Sequence, residues 1–393
     1  MISVDEAIKS ILSDLPTTST ETISIFNAVG RVLAQKVISK INQPPFSSSA
    51  MDGYAIPDKM PQVGSNYKVI GEVSAGTTFN KSIGKDETVR IFTGAPIPKG
   101  TEKVIIQENI KRSDETVKII SNDNSNNYIR PQGCDYQSGA SIEPNSILDA
   151  PTLALIASMN ISDVTVYKKP TVAIITTGNE LIMPGEKLKK GKIVSSNSIG
   201  VSASLMLNGA NTKILPIAKD DPESLKYIIN ISLASDFIVT IGGASVGEYD
   251  IVKDVLLELG LKIKFSKVSM RPGKPLFSGK LGSSTVIGLP GNPVSALICT
   301  EIFIVPAIKK FLKLNETNYH NRFAELSHNL PKNGPRTHYM RAKLDEVSNV
   351  VKVDANQDSS LLSILAKSNA LVIREPNAKE IQKGKLIPIM LFN

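Results

Sequence analysis

Residues 236–250, DFIVTIGGASVGEYD, predict the central element of the fold. The apolar run 237–241 is short, unbroken and rich in β-branched residues, as is typical of a fully buried parallel strand. Small residues follow at 242–247, and apolar positions at 251, 252, 255 and 256 then recur at helical spacing. We therefore expect a strand, a glycine turn and a helix with Asp250 in its first turn. Such turns hold ligands in open α/β sheets, and a tight turn without a ligand is the alternative.

Alternating strand and helix patterns surround this element. Further strands are expected at 171–176, 213–217, 262–266 and 284–289, and helices at 198–207 and 222–233. The alternation predicts a doubly wound α/β domain over residues 169–318, a usual domain size. Its loops at the carboxyl ends of the strands would carry Glu180, Asp250, Lys274 and Asn292.

Two β-rich regions flank the α/β pattern. Short strands separated by Gly, Pro and Asn turns predict a β-rich domain over residues 44–138, with strands at 69–73, 87–92, 103–107 and 116–120. A second set predicts a small C-terminal β-barrel over residues 319–393, with strands at 339–344, 349–353, 370–374 and 386–391.

The chain begins with an amphipathic helix. Ser3 and Glu6 form an S-x-x-E capping box, and apolar residues follow at helical spacing until Pro16. We expect the apolar face of this helix to pack on a second apolar helix at 152–159, or on a second subunit. In the first case residues 1–43 and 139–168 form one discontinuous linking domain.

Composition narrows the functional classes. A chain of 393 residues predicts two to four domains, and its net charge of +8 is spread without a block of five Lys or Arg, so we expect no nucleic-acid tail. The most apolar segment, 296–308, is too short to cross a bilayer, so we expect no membrane span. Cys134 and Cys299 lie far apart, and the N-terminus is acidic, which favours a reducing, cytoplasmic location.

Carboxylates beside glycine turns indicate the chemistry. Glu180 and Asp250 each follow such a turn at the end of a predicted buried strand, and Lys274 lies in a nearby loop. Two carboxylates, backbone N–H groups and a cation suit a phosphate ester with Mg²⁺. The residues predict a phosphate- or nucleotide-handling site without selecting a reaction. The polar loops 47–53 and 92–98 offer further hydroxyls and a carboxylate, and simple polar turns are the alternative.

Six segments together resemble the MoeA family, the molybdopterin molybdenumtransferases. In chain order they are PPFSSSAMDGYAI, RIFTGAPIP, TTGNEL, IGGASVGEYD, RPGKP and LPGNPVSA, and the resemblance covers essentially the whole chain. It implies a homodimer with a helical linking domain, a β-rich domain bearing the SAMDGYA loop, a molybdopterin-binding α/β domain and a C-terminal β-barrel. The cleft would lie between the α/β domain of one subunit and the SAMDGYA-bearing domain of the other.

The implied reaction inserts molybdenum from molybdate into adenylylated molybdopterin, with Mg²⁺-dependent release of AMP. Tungsten insertion by the same mechanism and molybdopterin adenylyltransferase activity are the alternatives, and the adenylyltransferase is also a candidate partner. A non-catalytic scaffold, as in a receptor-clustering animal relative, is an alternative from a different class.

The resemblance also implies roles for individual residues. The catalytic set is Asp52, Thr93, Glu180, Asp250, Asp135 and Asp221, of which Glu180 and Asp250 would bind the metal. The oxyanion or phosphate contacts are Arg271, Lys274, Arg341, Ser359 and Ser360, and the pterin and phosphate pocket is shaped by Gly242, Gly243, Ser245, Pro290, Gly291 and Asn292.

Local alternatives remain for three of these residues. Asp221 precedes Pro222 and suits a helix cap, Asp135 suits a turn, and Arg341 lies in a pattern typical of an exposed strand with a solvated arginine. The chain also departs from the family pattern at Arg271, where lysine is usual, at Cys134, and at the turn 356–360.

Overall fold

The computed structural model describes residues 1–242, 251–314 and 322–392. Its central sheet has six strands, in the order Asn211–Ile214, Thr171–Thr176, Phe237–Ile241, Ser284–Leu289, Phe277–Leu281 and Lys262–Phe265. The first four are parallel and the last two are antiparallel to their neighbours. The predicted α/β fold is confirmed, with the strand Phe277–Leu281 as an addition that the sequence pattern did not predict.

Helices cover both faces of this sheet. They are Asn197–Leu207, Pro222–Ser232, Ile251–Glu258, Pro293–Cys299 and Val305–Phe311, with a π-helical segment Thr300–Ile304 joining the last two. Phe237–Ile241 is buried throughout, because Val239 packs into the core on one face and Ile238 into the core on the other. This explains why the strand is apolar at every position except Thr240.

Residues 44–138 contain a second six-stranded sheet. Its order is Lys103–Ile106, Gly53–Ile56, Glu87–Ile91, Asn66–Val73, Thr116–Ile119 and Ile110–Ser113. The region also contains a separate two-stranded ladder, Ser48–Ser49 with Ile129–Arg130, and the 3₁₀ turn Gln107–Asn109. Only glycine fits at position 53, because a Cβ there would lie 2.0 Å from the carbonyl oxygen of Ile105.

The C-terminal region is a closed barrel, as predicted. Its strands are Arg322–Leu326, Thr337–Asp345, Val350–Val353, Ala370–Arg374 and Leu386–Leu391, and a short helix, Leu362–Leu365, precedes the fourth. The long strand Thr337–Asp345 pairs with both Val350–Val353 and Ala370–Arg374, which closes the ring. On its outside it pairs with Met270–Arg271, so the start of the RPGKP loop is attached to the barrel.

Two antiparallel ladders connect the distant parts of the linking region. They are Thr20–Ser24 with Asp163–Tyr167, and Val37–Ile38 with Ser141–Ile142. The 3₁₀ turn Ile25–Asn27 follows the first strand, and the helix Ala150–Ser158 packs on these ladders through the buried side chain of Ile156.

The N-terminal helix Val4–Leu12 packs elsewhere. Both hydrogen bonds of its capping box form, at 3.2 Å from the Glu6 N–H to the Ser3 hydroxyl and 2.8 Å from the Ser3 N–H to Glu6. Its buried residues Ala7 and Ile11 join the core of the α/β region, against the helix Val305–Phe311. The expected contact with the helix near 152–159 is therefore wrong.

Backbone hydrogen bonds fix this position. The Ile2 N–H donates to the Lys267 carbonyl at 3.1 Å, and the Ser269 N–H donates to the Ile2 carbonyl at 2.7 Å. Across the described ranges, none of the helices combines the length and apolar character that crossing a membrane requires.

Candidate active site

The carboxyl ends of three neighbouring parallel strands converge at one edge of the α/β sheet. The Thr177 N–H donates to the Ile241 carbonyl at 3.3 Å, and the Gly242 N–H donates to the Leu289 carbonyl at 3.2 Å. Gly242 has a φ of +90°, and a Cβ there would lie 2.9 Å from the Thr177 carbonyl oxygen. The three strand ends are therefore in direct contact, and glycine is required at position 242.

The turn after the first of these strands is fixed by Asp220. One carboxylate oxygen of Asp220 accepts from the Thr177 hydroxyl at 2.7 Å, and the other accepts from the Asn179 N–H at 3.0 Å. The Asp220 N–H donates in return to the Asn179 side chain at 3.3 Å. Lys192 also donates to the Asn179 carbonyl. This arrangement determines where Glu180 projects.

The Glu180 carboxylate is exposed and lies over Gly178. A Cβ at Gly178 would be 2.7 Å from both carboxylate oxygens, so glycine allows this position. The Ile193 N–H donates to the Glu180 carbonyl at 2.9 Å, and the parallel pair Leu181–Ile182 with Ile193–Val194 follows. Glu180 is thus held by its backbone, with its carboxylate available at the strand end.

Asp220 is the residue that the sequence analysis missed. Its neighbour Asp221 was chosen, but Asp221 is the N-cap of Pro222–Ser232 and accepts from the Ser224 N–H at 2.8 Å. The available signal was the pair of adjacent acids, one of which has to cap the helix before Pro222 and leaves the other free for the site. The structure therefore shows Asp221 as a helix cap, which was the alternative to a catalytic role.

The LPGNP turn meets the C-terminal region. The Asn292 side-chain amide donates to the Ser359 hydroxyl at 2.9 Å, and the Val294 N–H donates to the Ser359 carbonyl at 3.2 Å. Asn197 donates to the Gly291 carbonyl at 2.7 Å, and Gly291 lies against Gly242. Of the predicted pocket residues, Gly242, Pro290, Gly291 and Asn292 are therefore brought together with Ser359.

Ser360 and Arg341 both form hydrogen bonds within the C-terminal turn 356–361. The Ser360 N–H and hydroxyl donate to Asp358 at 2.8 and 2.7 Å, and these bonds lower the pKa of Asp358. Arg341 is only 1% exposed and donates to the carbonyls of Leu361 at 2.9 Å and Asn356 at 3.1 Å. The alternative of an exposed strand with a solvated Arg341 is therefore wrong, because the turn 356–361 covers this side chain, although Lys343 further along the strand is exposed.

Arg271 and Lys274 are exposed cations on the RPGKP loop. Arg271 lies in the strand that pairs with the barrel, and the Val268 N–H donates to the Lys274 carbonyl at 3.0 Å. Gly273, with φ at +112°, presses the loop on the helix Pro293–Cys299, since a Cβ would lie 2.5 Å from the Cys299 sulfur. The loop therefore presents its cations at the junction of the α/β and barrel regions.

A second group of predicted residues lies in the β-rich region. Asp52 accepts from the Thr93 N–H at 2.7 Å and from its hydroxyl at 2.8 Å, and these bonds, with a smaller contribution from Arg90, lower the Asp52 pKa. The Ser49 N–H donates to the Ala95 carbonyl at 3.0 Å, so the two polar loops lie against one another.

Asp135 is not part of this pair. Its N–H donates to the Gln43 carbonyl at 3.0 Å, and its exposed side chain makes no hydrogen bond to Asp52 or Thr93. Asp250, Gly243 and Ser245 lie outside the described residues, so their predicted roles stay predictions.

The two groups are separate within one chain. In the described ranges, no hydrogen bond or ion pair joins loops 47–53 or 92–98 to the turns 177–180, 242 and 289–292. Nor does any cluster of three or more His, Cys, Asp or Glu among the described residues suit a metal ion. The Glu180 carboxylate nevertheless suits Mg²⁺ as an oxygen ligand. Mg²⁺ often binds only one or two carboxylates and fills its other positions with water and phosphate.

Family comparisons cover almost the whole chain. Residues 2–160 match "MoeA N-terminal region (domain I and II)", residues 173–310 match "Probable molybdopterin binding domain", and residues 324–392 match "MoeA C-terminal region (domain IV)". A relative from Haemophilus influenzae, named molybdopterin molybdenumtransferase, is 33% identical, with 100% of this chain and 99% of the relative covered. A relative of the same name from Nostoc is also 33% identical, over 94% of this chain and 88% of its own length.

A solved structure supports the same relationship. The crystal structure of a molybdopterin biosynthesis MoeA protein from Pyrococcus horikosii has a TM-score of 0.83 and 27% identity, and covers 100% of this chain and 99% of its own. The resemblance seen in the six sequence segments is thereby confirmed. The full-length relatives and the three matched regions show that this chain belongs to the MoeA family.

Proposed function

We propose that this chain transfers molybdenum from molybdate to adenylylated molybdopterin and releases AMP in a Mg²⁺-dependent step. The observation that carries the proposal is the convergence of the turn 177–180, Gly242 and the turn 289–292, with Asp220 behind them. Strand-end turns with close backbone approach and a carboxylate suit a phosphoanhydride. The names of the full-length relatives support the choice of reaction.

Each residue group has a role in this proposal. Asp220 holds the turn so that Glu180 is presented at the strand ends, and Gly242 allows phosphate oxygens to approach the backbone. Glu180 would hold Mg²⁺ together with Asp250. The metal, when bound, would neutralise charge on the phosphoanhydride oxygens.

Molybdate would be held at the junction with the barrel. Arg271 and Lys274 are exposed there and provide positive charge, and Arg271 can bind two oxygens of one oxyanion at once. Ser359 borders the same junction through its bond with Asn292. Tungstate differs little from molybdate in size and charge and is the alternative substrate.

A second copy of the chain would complete the site. Because the Asp52–Thr93 pair lies apart from the strand ends, we infer a homodimer in which this pair faces the α/β region of the other subunit. The adenylyltransferase that makes the substrate is a proposed partner. A cytoplasmic location is proposed on the free Cys134 and Cys299 thiols, as expected in a reducing compartment.

The test is AMP release from adenylylated molybdopterin by the purified protein. We expect release only when molybdate and Mg²⁺ are both present, with active cofactor formed. ATP consumption in the presence of molybdopterin, without AMP release from the adenylylated form, would instead support the adenylyltransferase alternative. Replacing molybdate by tungstate in the same assay separates the two oxyanions.

A further inference from the structure

A groove of about 370 Å³ adjoins the strand-end turns. One wall is a single face of the helix Asn197–Leu207, and the other is formed by the helix Pro293–Cys299 and the π-helical segment after it. The C-terminal region closes the third side with apolar side chains that include Leu365, Leu371 and Phe392. A largely apolar cleft of this volume with few polar groups is typical of a small-molecule site.

Ser204 and Glu301 are polar groups at the end of the groove farther from the strand-end turns. The Ser204 hydroxyl donates to one Glu301 carboxyl oxygen at 2.6 Å, and no described residue donates to the other oxygen. Among the described residues that line the groove, Glu301 is the only charged one. Burial raises the pKa of this carboxyl, while the Ser204 hydrogen bond and the positive charge of Lys309 oppose the shift.

The other end of the groove opens at the candidate active site. Asn197 lines the groove and donates to the Gly291 carbonyl, which belongs to the turn that contacts Gly242. From Asn197 to Ser204 the helix rises by roughly 10 Å, at 1.5 Å a residue. The groove therefore runs from the proposed phosphate-handling turns to a carboxyl with one open oxygen.

We propose that this groove binds the pterin ring of the substrate, with the 2-amino group and adjacent ring N–H donating to Glu301. The inference rests on the proposed function. A carboxylate accepts two parallel N–H donors well, as it does from a guanidinium. One ring face would lie over Ala203 and Leu297, with Leu365 and Phe392 of the C-terminal region towards the other, and the phosphate end would reach the turns at Asn197 and Gly291. The open oxygen of Glu301 thereby acquires a donor, which offsets the cost of its burial.

The experiment measures binding rather than turnover. The probes are the fluorescent heterocycles 6-hydroxymethylpterin and lumazine, which carry an amino and an oxo group, respectively, at ring position 2. We expect the wild type to bind the pterin about tenfold or more tightly than lumazine. Glu301→Gln should remove this preference, and Ala203→Trp should weaken both probes by filling the groove. Ile199→Trp, on the same helix but outside the groove, is the matched control and should bind like the wild type.

Three results would overturn the inference. They are equal affinity of the wild type for the two probes, an unchanged preference in Glu301→Gln, and unchanged binding in Ala203→Trp with the fold intact by circular dichroism. If the wild type releases AMP and any of these results is found, the proposed function is supported and only the pterin site in the groove is excluded. Pterin binding that follows the expected pattern without AMP release would support the groove and contradict the transferase reaction.

Discussion

The carboxylate of Asp52 is held by Thr93 through two hydrogen bonds to the same oxygen, at 2.7 Å from the N–H and 2.8 Å from the hydroxyl. This contact joins two loops that are 41 residues apart. No described residue donates to the second Asp52 oxygen, which is left for a ligand. The pair therefore orients the carboxylate while keeping one oxygen available.

Thr93→Val removes the hydroxyl donor and leaves the N–H. We expect the Asp52 pKa to rise towards its ordinary value of 3.8, because the hydroxyl bond favours the ionised form. Since the folded pKa is lowered, the stabilisation is present above about pH 4 and is lost as pH falls through the folded pKa. Carboxyl NMR titration measures the shift, and urea unfolding at several pH values measures the stability.

The control for Thr93→Val is Thr78→Val, because the Thr78 hydroxyl donates to the neutral side chain of Asn80 and not to a carboxylate. It should show no pH-dependent difference from the wild type. A loss of stability in Thr93→Val that is the same at pH 7 and pH 2 would contradict the electrostatic account.

Asp220 and Asp221 should behave differently when replaced. Asp220→Ala removes both acceptors that hold the turn 177–180, and we expect AMP release to fall about 10²-fold through displacement of Glu180. Asp221→Ala should lower the free energy of unfolding by about 1 kcal/mol, and Asp221→Asn should restore it, since asparagine is an equally good cap. Single-turnover assays and chemical denaturation of each variant make the comparison. Normal AMP release by Asp220→Ala would exclude the positioning role.

Arg341→Met should destabilise the C-terminal turn. The substitution leaves the carbonyls of Leu361 and Asn356 without their donor, and we expect a loss of about 3 kcal/mol in the free energy of unfolding. Lys343→Met, two residues along the same strand at an exposed position, is the control. Unchanged stability with lost molybdate binding would mean that Arg341 contacts the oxyanion directly.

His338 should make stability depend on pH. Burial first, and then the neighbouring arginines, lower its pKa from 6.5 to about 4; the arginines are Arg271, Arg336, Arg374 and Arg341. The unfolded chain therefore binds a proton at a higher pH than the folded chain. The free energy of unfolding should fall as pH drops from 6.5 towards 4, by about 3 kcal/mol in total.

His338→Gln tests this directly, because glutamine does not titrate. Urea denaturation between pH 7 and pH 4 should show a flatter decline in the variant than in the wild type. The same slope in both proteins would assign the decline to other groups.

The three inner parallel strands, Thr171–Thr176, Phe237–Ile241 and Ser284–Leu289, were predictable because they are largely apolar and buried on both faces. Phe277–Leu281 was missed, since Ser278, Gly279 and Lys280 have no strand pattern. Pairing explains it: a Cβ at Gly279 would lie 2.6 Å from the Lys262 carbonyl oxygen, so glycine lets the two strands approach. This information belongs to the neighbouring strand and is absent from the local sequence.

The other differences between the sequence-based predictions and the structure also arise from tertiary contacts. An amphipathic pattern shows that the N-terminal helix has a partner but does not say which helix it is. Arg341 sits in an alternating strand, on the same side as the exposed Lys343, but the turn 356–361 folds over Arg341 and buries it. The two acids before Pro222 indicate one helix cap and one spare carboxylate, but the place of Asp220 at the turn 177–180 depends on the tertiary contact of Ala218 with Thr177, which no local pattern contains.

The packing of the helix Val4–Leu12 on Val305–Phe311 sets an order of events on the ribosome. The helix is synthesised before its partner, which emerges roughly 300 residues later. At about 5–20 residues a second, the apolar face of the helix waits on the order of tens of seconds. During synthesis its docking is therefore a late step, and a nascent chain that stops before residue 300 lacks both helical segments on which the helix packs.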